Sequence, residues 1–63
     1  MRVQTKPLML SVERLARVAE SGLTVHVERE LGSARIVRLE GEYEDVRALL
    51  DELWLPADVR PVA

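Results

Sequence analysis

The chain holds one imidazole, His26. The alternation around it predicts that it stands on the outer face of a strand, opposite Glu40. A histidine oriented by a carboxylate is the arrangement of a general base, and Arg38 completes a small polar constellation with this pair. A hydrolytic triad would also need a nucleophile, but Ser11, Ser21 and Ser33 fall at a helix cap, a helix end and a turn tip, where a hydroxyl has a structural role. A solvated cross-strand pair is the commoner meaning of such a histidine, and it contributes only about 0–1 kcal/mol. No catalytic residue is therefore assigned and the chain is not expected to be an enzyme. His26, Arg38 and Glu40 would act only if a neighbouring subunit completed the site.

Glu28, Glu30, Glu40 and Glu42 lie close together in sequence, as oxygen ligands of a divalent cation must in space. They alternate with Arg29, Arg35 and Arg38, whose charges would neutralise such a site. There is no cysteine, and one histidine cannot supply the three or four nitrogen or sulfur ligands of a protein-only zinc site. No metal or cofactor is expected. Nor is nucleic acid: the formal net charge is −2, and a sheet that binds RNA stacks bases on aromatic side chains. The aromatics here, Tyr43 and Trp54, belong to a helical pattern instead.

Around these residues the pattern predicts the elements that carry them. Val3 and Thr5 alternate with Arg2, Gln4 and Lys6, so residues 1–6 read as a strand, which Pro7 should end. A helix follows, with Val12, Leu15, Ala16 and Ala19 as its apolar side. It starts at an N-cap on Ser11 or, with Leu8 extending the stripe backwards, nearer Leu8, and it stops at Gly22. Leu23–Leu31 and Arg35–Glu40 form a hairpin. Apolar matching favours a loop of Gly32, Ser33 and Ala34, with Val27 opposite Leu39, Glu28 opposite Arg38 and His26 opposite Glu40. The second helix carries Tyr43, Val46, Leu49, Leu50, Leu53 and Trp54 on one side and ends before Pro56. Residues 58–62 add a short edge strand, Pro61 confining it to the edge. The expectation is an α+β two-layer sandwich of ferredoxin-like βαββα(β) order, with two helices on one face of an antiparallel sheet.

This element order is similar to that of two families. Heavy-metal-associated domains carry a CxxC after the first strand, and the absence of cysteine excludes that role. ACT-type regulatory domains place a Pro-Gly or its equivalent before the first helix so that an amino acid can approach the backbone; here Leu8 follows Pro7. The resemblance is one of topology, and it implies a small-molecule-sensing module as the alternative function.

At 63 residues the chain reads as a single domain, 1–63. A domain of this size buries only about 60% of its unfolded surface. Without disulfides or metal, association between copies is the remaining means of stabilisation. Leu53, Trp54 and Leu55 are consecutive, and one face of a helix cannot bury all three. They are the candidate interface of a homo-oligomer, a dimer first, and the expected function is a non-enzymatic interaction or assembly module. No run of residues approaches the roughly 20 apolar positions of a membrane span, and none reads as a signal peptide, so the expected location is the cytoplasm. Eight arginines against one lysine, with no asparagine and a single glutamine, point to a GC-rich bacterium and a thermophile.

Overall fold

A computed structural model describes residues 1–62. The elements are β1 (Arg2–Thr5), β2 (Leu8–Ser11), α1 (Val12–Glu20), β3 (Thr24–Leu31), β4 (Ala34–Glu42), α2 (Tyr43–Glu52) and β5 (Val59–Pro61). They form a five-stranded antiparallel sheet with two helices packed on it. β4 pairs with β3 along one side and with both β1 and β2 along the other, and β5 lies beyond β1. Alternate residues of the strands, Val3, Leu10, Val37 and Leu39, are fully buried against Val18 of α1 and Val46, Leu49 and Leu50 of α2. Among the described residues, no helix is long and apolar enough to cross a membrane.

Pro7 interrupts the first strand rather than ending it. Gln4 stands opposite Glu40 and Leu8 opposite Val37, so Thr5, Lys6 and Pro7 occupy the length of Arg38 and Leu39. This is a bulge of one residue, placed where proline has no N–H to give the ladder. The Thr5 hydroxyl takes the place of a main-chain acceptor: Leu39 N–H donates to Thr5 Oγ1 at 3.0 Å, and Thr5 is only 3% exposed.

The helix start near Leu8 is thereby overturned, because Leu8–Ser11 is a strand. Ser11 is the cap, extended in backbone, and its Oγ accepts from Arg14 N–H at 3.2 Å. Starting there sets the phase of α1. Val18 with Leu15, and not Val12, Ala16 and Ala19, turns to the core, and Val12 is exposed. The helix ends before Gly22, whose φ of 84° suits the left-handed turn that follows.

The hairpin register also differs from the expectation. Gly32 and Ser33 alone form the turn, Leu31 faces Ala34, and positive φ at Gly32 but not at Ser33 is the pattern of a type II′ turn. Continued uniformly, that register would set Val27 opposite Arg38. A second bulge, at Glu28, prevents it: beyond that residue Val27 faces Val37 and Val25 faces Leu39. Apolar matching does govern the pairing, but an extra residue achieves it, not a longer loop.

The second helix keeps Val46, Leu49 and Leu50 buried, whereas Tyr43 is exposed. It ends sooner than its apolar run. Leu53 is the C-cap, Trp54 follows at φ 57°, and Leu55 N–H returns to the Leu50 carbonyl at 2.9 Å while Trp54 N–H reaches Asp51 at 3.2 Å. These two bonds are a Schellman cap with Trp54 at the left-handed position. They decide where the side chains beyond the helix go: Leu55, which continued helical periodicity would turn away from the apolar stripe, packs against the core, and Trp54, at the edge of that stripe, points away from it. Arg14 of α1 donates to the Leu53 carbonyl at 3.2 Å, and Arg17 reaches Glu52 in an ion pair, so α1 braces this end of α2.

Thr5→Val keeps the shape of the side chain and removes the acceptor for a buried N–H. The expected loss is about 1–3 kcal/mol in urea-unfolding free energy. Unchanged stability would show that Leu39 N–H has another partner available.

Candidate functional site

Because successive strand residues point to opposite faces, the residues between the core positions of β4, Arg38 and Glu40, lie on the face away from the helices. Gln4 pairs across to Glu40, His26 to Arg38, and Arg60 to Gln4. The three polar residues singled out in the sequence are therefore brought together, though His26 reaches Glu40 diagonally and not directly across. Its Nε2 lies 3.0 Å from Glu40 Oε1.

Glu40 is the centre of this network. Oε1 also accepts from Gln4 Nε2 at 3.0 Å, and Oε2 accepts from Arg2 Nε at 2.6 Å. The Gln4 amide then links the network to Arg38, since its carbonyl accepts from Arg38 Nη1 at 3.1 Å. On its other side Arg38 Nε forms an ion pair with Glu28, but the carboxylate lies out of line with the N–H, which is buried without a hydrogen bond. The bulge at Glu28 and the bulge at Pro7 flank β4 at this level from opposite sides. Bulges bend a strand and re-aim its side chains, and here they set the surroundings of Arg38.

The hydrogen bond from Arg2, then that from His26, hold the Glu40 carboxyl below its ordinary value of 4.5; partial burial opposes this, and Gln4 and the Arg2 charge add to the lowering. A carboxylate so occupied on both oxygens is a poor proton acceptor. The serines stand apart from the network: Ser11 caps α1, Ser21 Oγ donates to the Val18 carbonyl and accepts from Leu23 N–H, and Ser33 forms the hairpin turn. Among the described residues, no three histidine, aspartate or glutamate side chains converge on a point where a metal could bind. The polar face is thus a network of charged and amide side chains centred on Glu40.

No protein-family model matches the chain, and no curated protein or solved structure is significantly similar to it. The site is therefore read from its own chemistry.

Sequence reasoning missed Arg2 and Gln4. Their alternation with Val3 and Thr5 placed them on the polar face, but nothing in the sequence told which strand they would pair with. It missed Lys6 and Arg60 for the same reason. These two, with Arg38, Gln4, Pro7 and Pro61, line a cleft of about 420 Å³ at the β5 side of the polar face.

The candidate interface is split by the Schellman cap. Leu53 and Leu55 are partly buried and pack against the core, whereas Trp54 is 89% exposed. A second hollow, of about 440 Å³, adjoins it and is lined by Arg47, Leu50, Asp51, Leu55 and Pro56.

A carboxyl held low in the folded state stabilises the fold above its unfolded value, and the gain is lost as pH falls through the folded value. Glu40→Gln should accordingly melt below the wild type near neutral pH, with the gap in Tm narrowing on acidification below 4.5. A gap independent of pH would mean that Glu40 is not held as a carboxylate by its neighbours.

Proposed function

We propose that the chain is a non-enzymatic interaction module that works as a homo-oligomer, a dimer in the simplest case, with Trp54 as its anchor. The observation that carries this reading is the backbone of Trp54. It sits at φ 57° with its side chain 89% exposed. The left-handed conformation costs a residue with a Cβ about 1–2 kcal/mol, and glycine is its usual occupant at the end of a helix. The position thus holds a large apolar side chain out in water in a conformation that disfavours it. Burial against another molecule offsets both costs, and tryptophan is enriched where interfaces concentrate their binding energy.

A second copy of the chain is the partner that best fits. A domain this short gains most from added burial, and a two-fold interface places the same patch on both sides. Each indole would then meet the other copy's hollow of Leu50, Leu55 and Pro56. Growth through the sheet edges fits less well. β3 carries Glu28, Arg29 and Glu30 and a bulge, and β5 contains Pro61, all of which disfavour pairing with a further strand.

The fold fits the ferredoxin-like order within this proposal. With β1 and β2 taken as one strand interrupted at Pro7, the sheet runs β3, β4, β1 with β2, β5, and the helices follow the first and third strands. In support, β1 and β2 pair with the same side of β4 and in the same sense.

Size exclusion with light scattering should report a dimer or larger species for the wild type and a monomer for Trp54→Gly. Glycine suits the left-handed position, so the variant should stay folded by circular dichroism and gain about 1 kcal/mol of monomer stability. A wild type that remains monomeric at every concentration, or a Trp54→Gly variant that still associates, would remove the anchor and the function built on it.

A further inference from the structure

The cleft beside β5 collects charge in a way that the composition does not explain. The chain as a whole has a formal net charge of −2. Yet among the described residues the cleft is lined by Lys6, Arg38 and Arg60 with no carboxylate side chain in its walls. We propose that this cleft binds a small molecule bearing a phosphoryl group, held by the Lys6, Arg38 and Arg60 side chains. The proposal is independent of self-association through Trp54.

Local partners leave Lys6 and Arg60 under-compensated. Lys6 Nζ reaches Asp58 Oδ2 at 3.5 Å, but Asp58 is 80% exposed, and such a pair is weak and easily exchanged for a better anion. Arg38 is ion-paired with Glu28 through Nε and donates from Nη1 to Gln4, and these two partners fix its guanidinium in place at the wall of the cleft. Among the described residues no carboxylate lies within ion-pair distance of the Arg60 guanidinium, which extends from an exposed position on β5. Gln4 ties the group together: Arg60 is its cross-strand neighbour and Arg38 donates to its carbonyl.

The walls select the class of ligand. A monocarboxylate would meet one of these cations and leave the others unsatisfied, whereas a phosphate monoester brings close to two charges and three acceptor oxygens at neutral pH. Guanidinium forks match such oxygens in pairs. Main-chain donors contribute little here, since Pro7 and Pro61 have no N–H, Lys6 N–H is bonded to the Asp58 carbonyl and Val62 N–H to that of Arg2. Recognition must come from the side chains. The proline rings and Val62 supply an apolar wall for the remainder of the ligand, and the volume of about 420 Å³ lies within the range of small-molecule clefts. Proline also fixes φ, so two walls of the cleft lose little freedom when it fills.

Phenyl phosphate is a probe with both parts. Titrated into the protein and followed by backbone-amide NMR, it should give saturable shifts at Lys6, Arg38, Arg60 and Val62. Arg60→Gln alters an exposed side chain and should weaken binding about tenfold or more, the scale of one lost charge-assisted contact. Arg29→Gln, on β3 at the far edge of the sheet, should leave affinity unchanged. The proposal is overturned if the shifts do not saturate, if both variants weaken binding equally, as general charge attraction would make them, or if succinate binds as tightly as phenyl phosphate.

Discussion

The fold turns on the hydrogen bond between Leu39 N–H and the Thr5 hydroxyl. β4 is the strand to which β1, β2 and β3 all attach, and its Leu39 side chain lies at the bottom of the core. A main-chain N–H at that depth has no access to water, and leaving it unpaired would cost as much as a substantial share of a small domain's stability. The bulge at Pro7 displaces the neighbouring backbone there. One short side chain with an acceptor, buried on the core face, lets the strand on that side change register without an orphaned donor. Valine would fill the same space and lack the oxygen.

The types of the elements were legible where their periods differ: alternation marks β3, β4 and the Arg2–Thr5 end of the first strand, and Val46, Leu49 and Leu50 mark α2, whereas the apolar run Leu8-Met9-Leu10 does not alternate and reads as readily as the start of a helix. The bulges were not legible. Glu28 looks like any outward residue of an alternating strand, and only the requirement that Val25 and Val27 meet apolar partners reveals that something must shift. That requirement has two solutions, a longer turn or an extra residue inside the strand, and the choice depends on Gly32 and Ser33 closing the tight turn. In the first strand, proline signalled a break correctly, but a break and an end look alike until the following residues, Leu8 to Ser11, are seen to pair with β4.

The polar site shows the same limit. His26, Arg38 and Glu40 could be grouped from the hairpin alone, since one local turn brings them together. Arg2, Gln4 and Arg60 come from strands far away in the chain, and their membership depends on sheet order, which no local pattern encodes. Trp54 illustrates a different difficulty. Helical periodicity carried past Leu53 puts it on the apolar side of α2, but a single left-handed residue rotates everything after it, sending Leu55 inward and the indole outward.

β5 is three residues long, lies at the edge of the sheet and contributes Val59 to the margin of the core. Its ladder to β1 pairs Val3 with Pro61, so forming it closes a loop of nearly the whole described chain. Loop-closure entropy makes such contacts late to form, and thin burial makes them early to open. The strand is thus the natural first unit to detach in local unfolding, ahead of the hairpin and the helices. One wall of the cationic cleft belongs to it, so the cleft exists only while the first and last strands are zipped together, and whatever bridges Lys6 and Arg60 acts as a fastener between them.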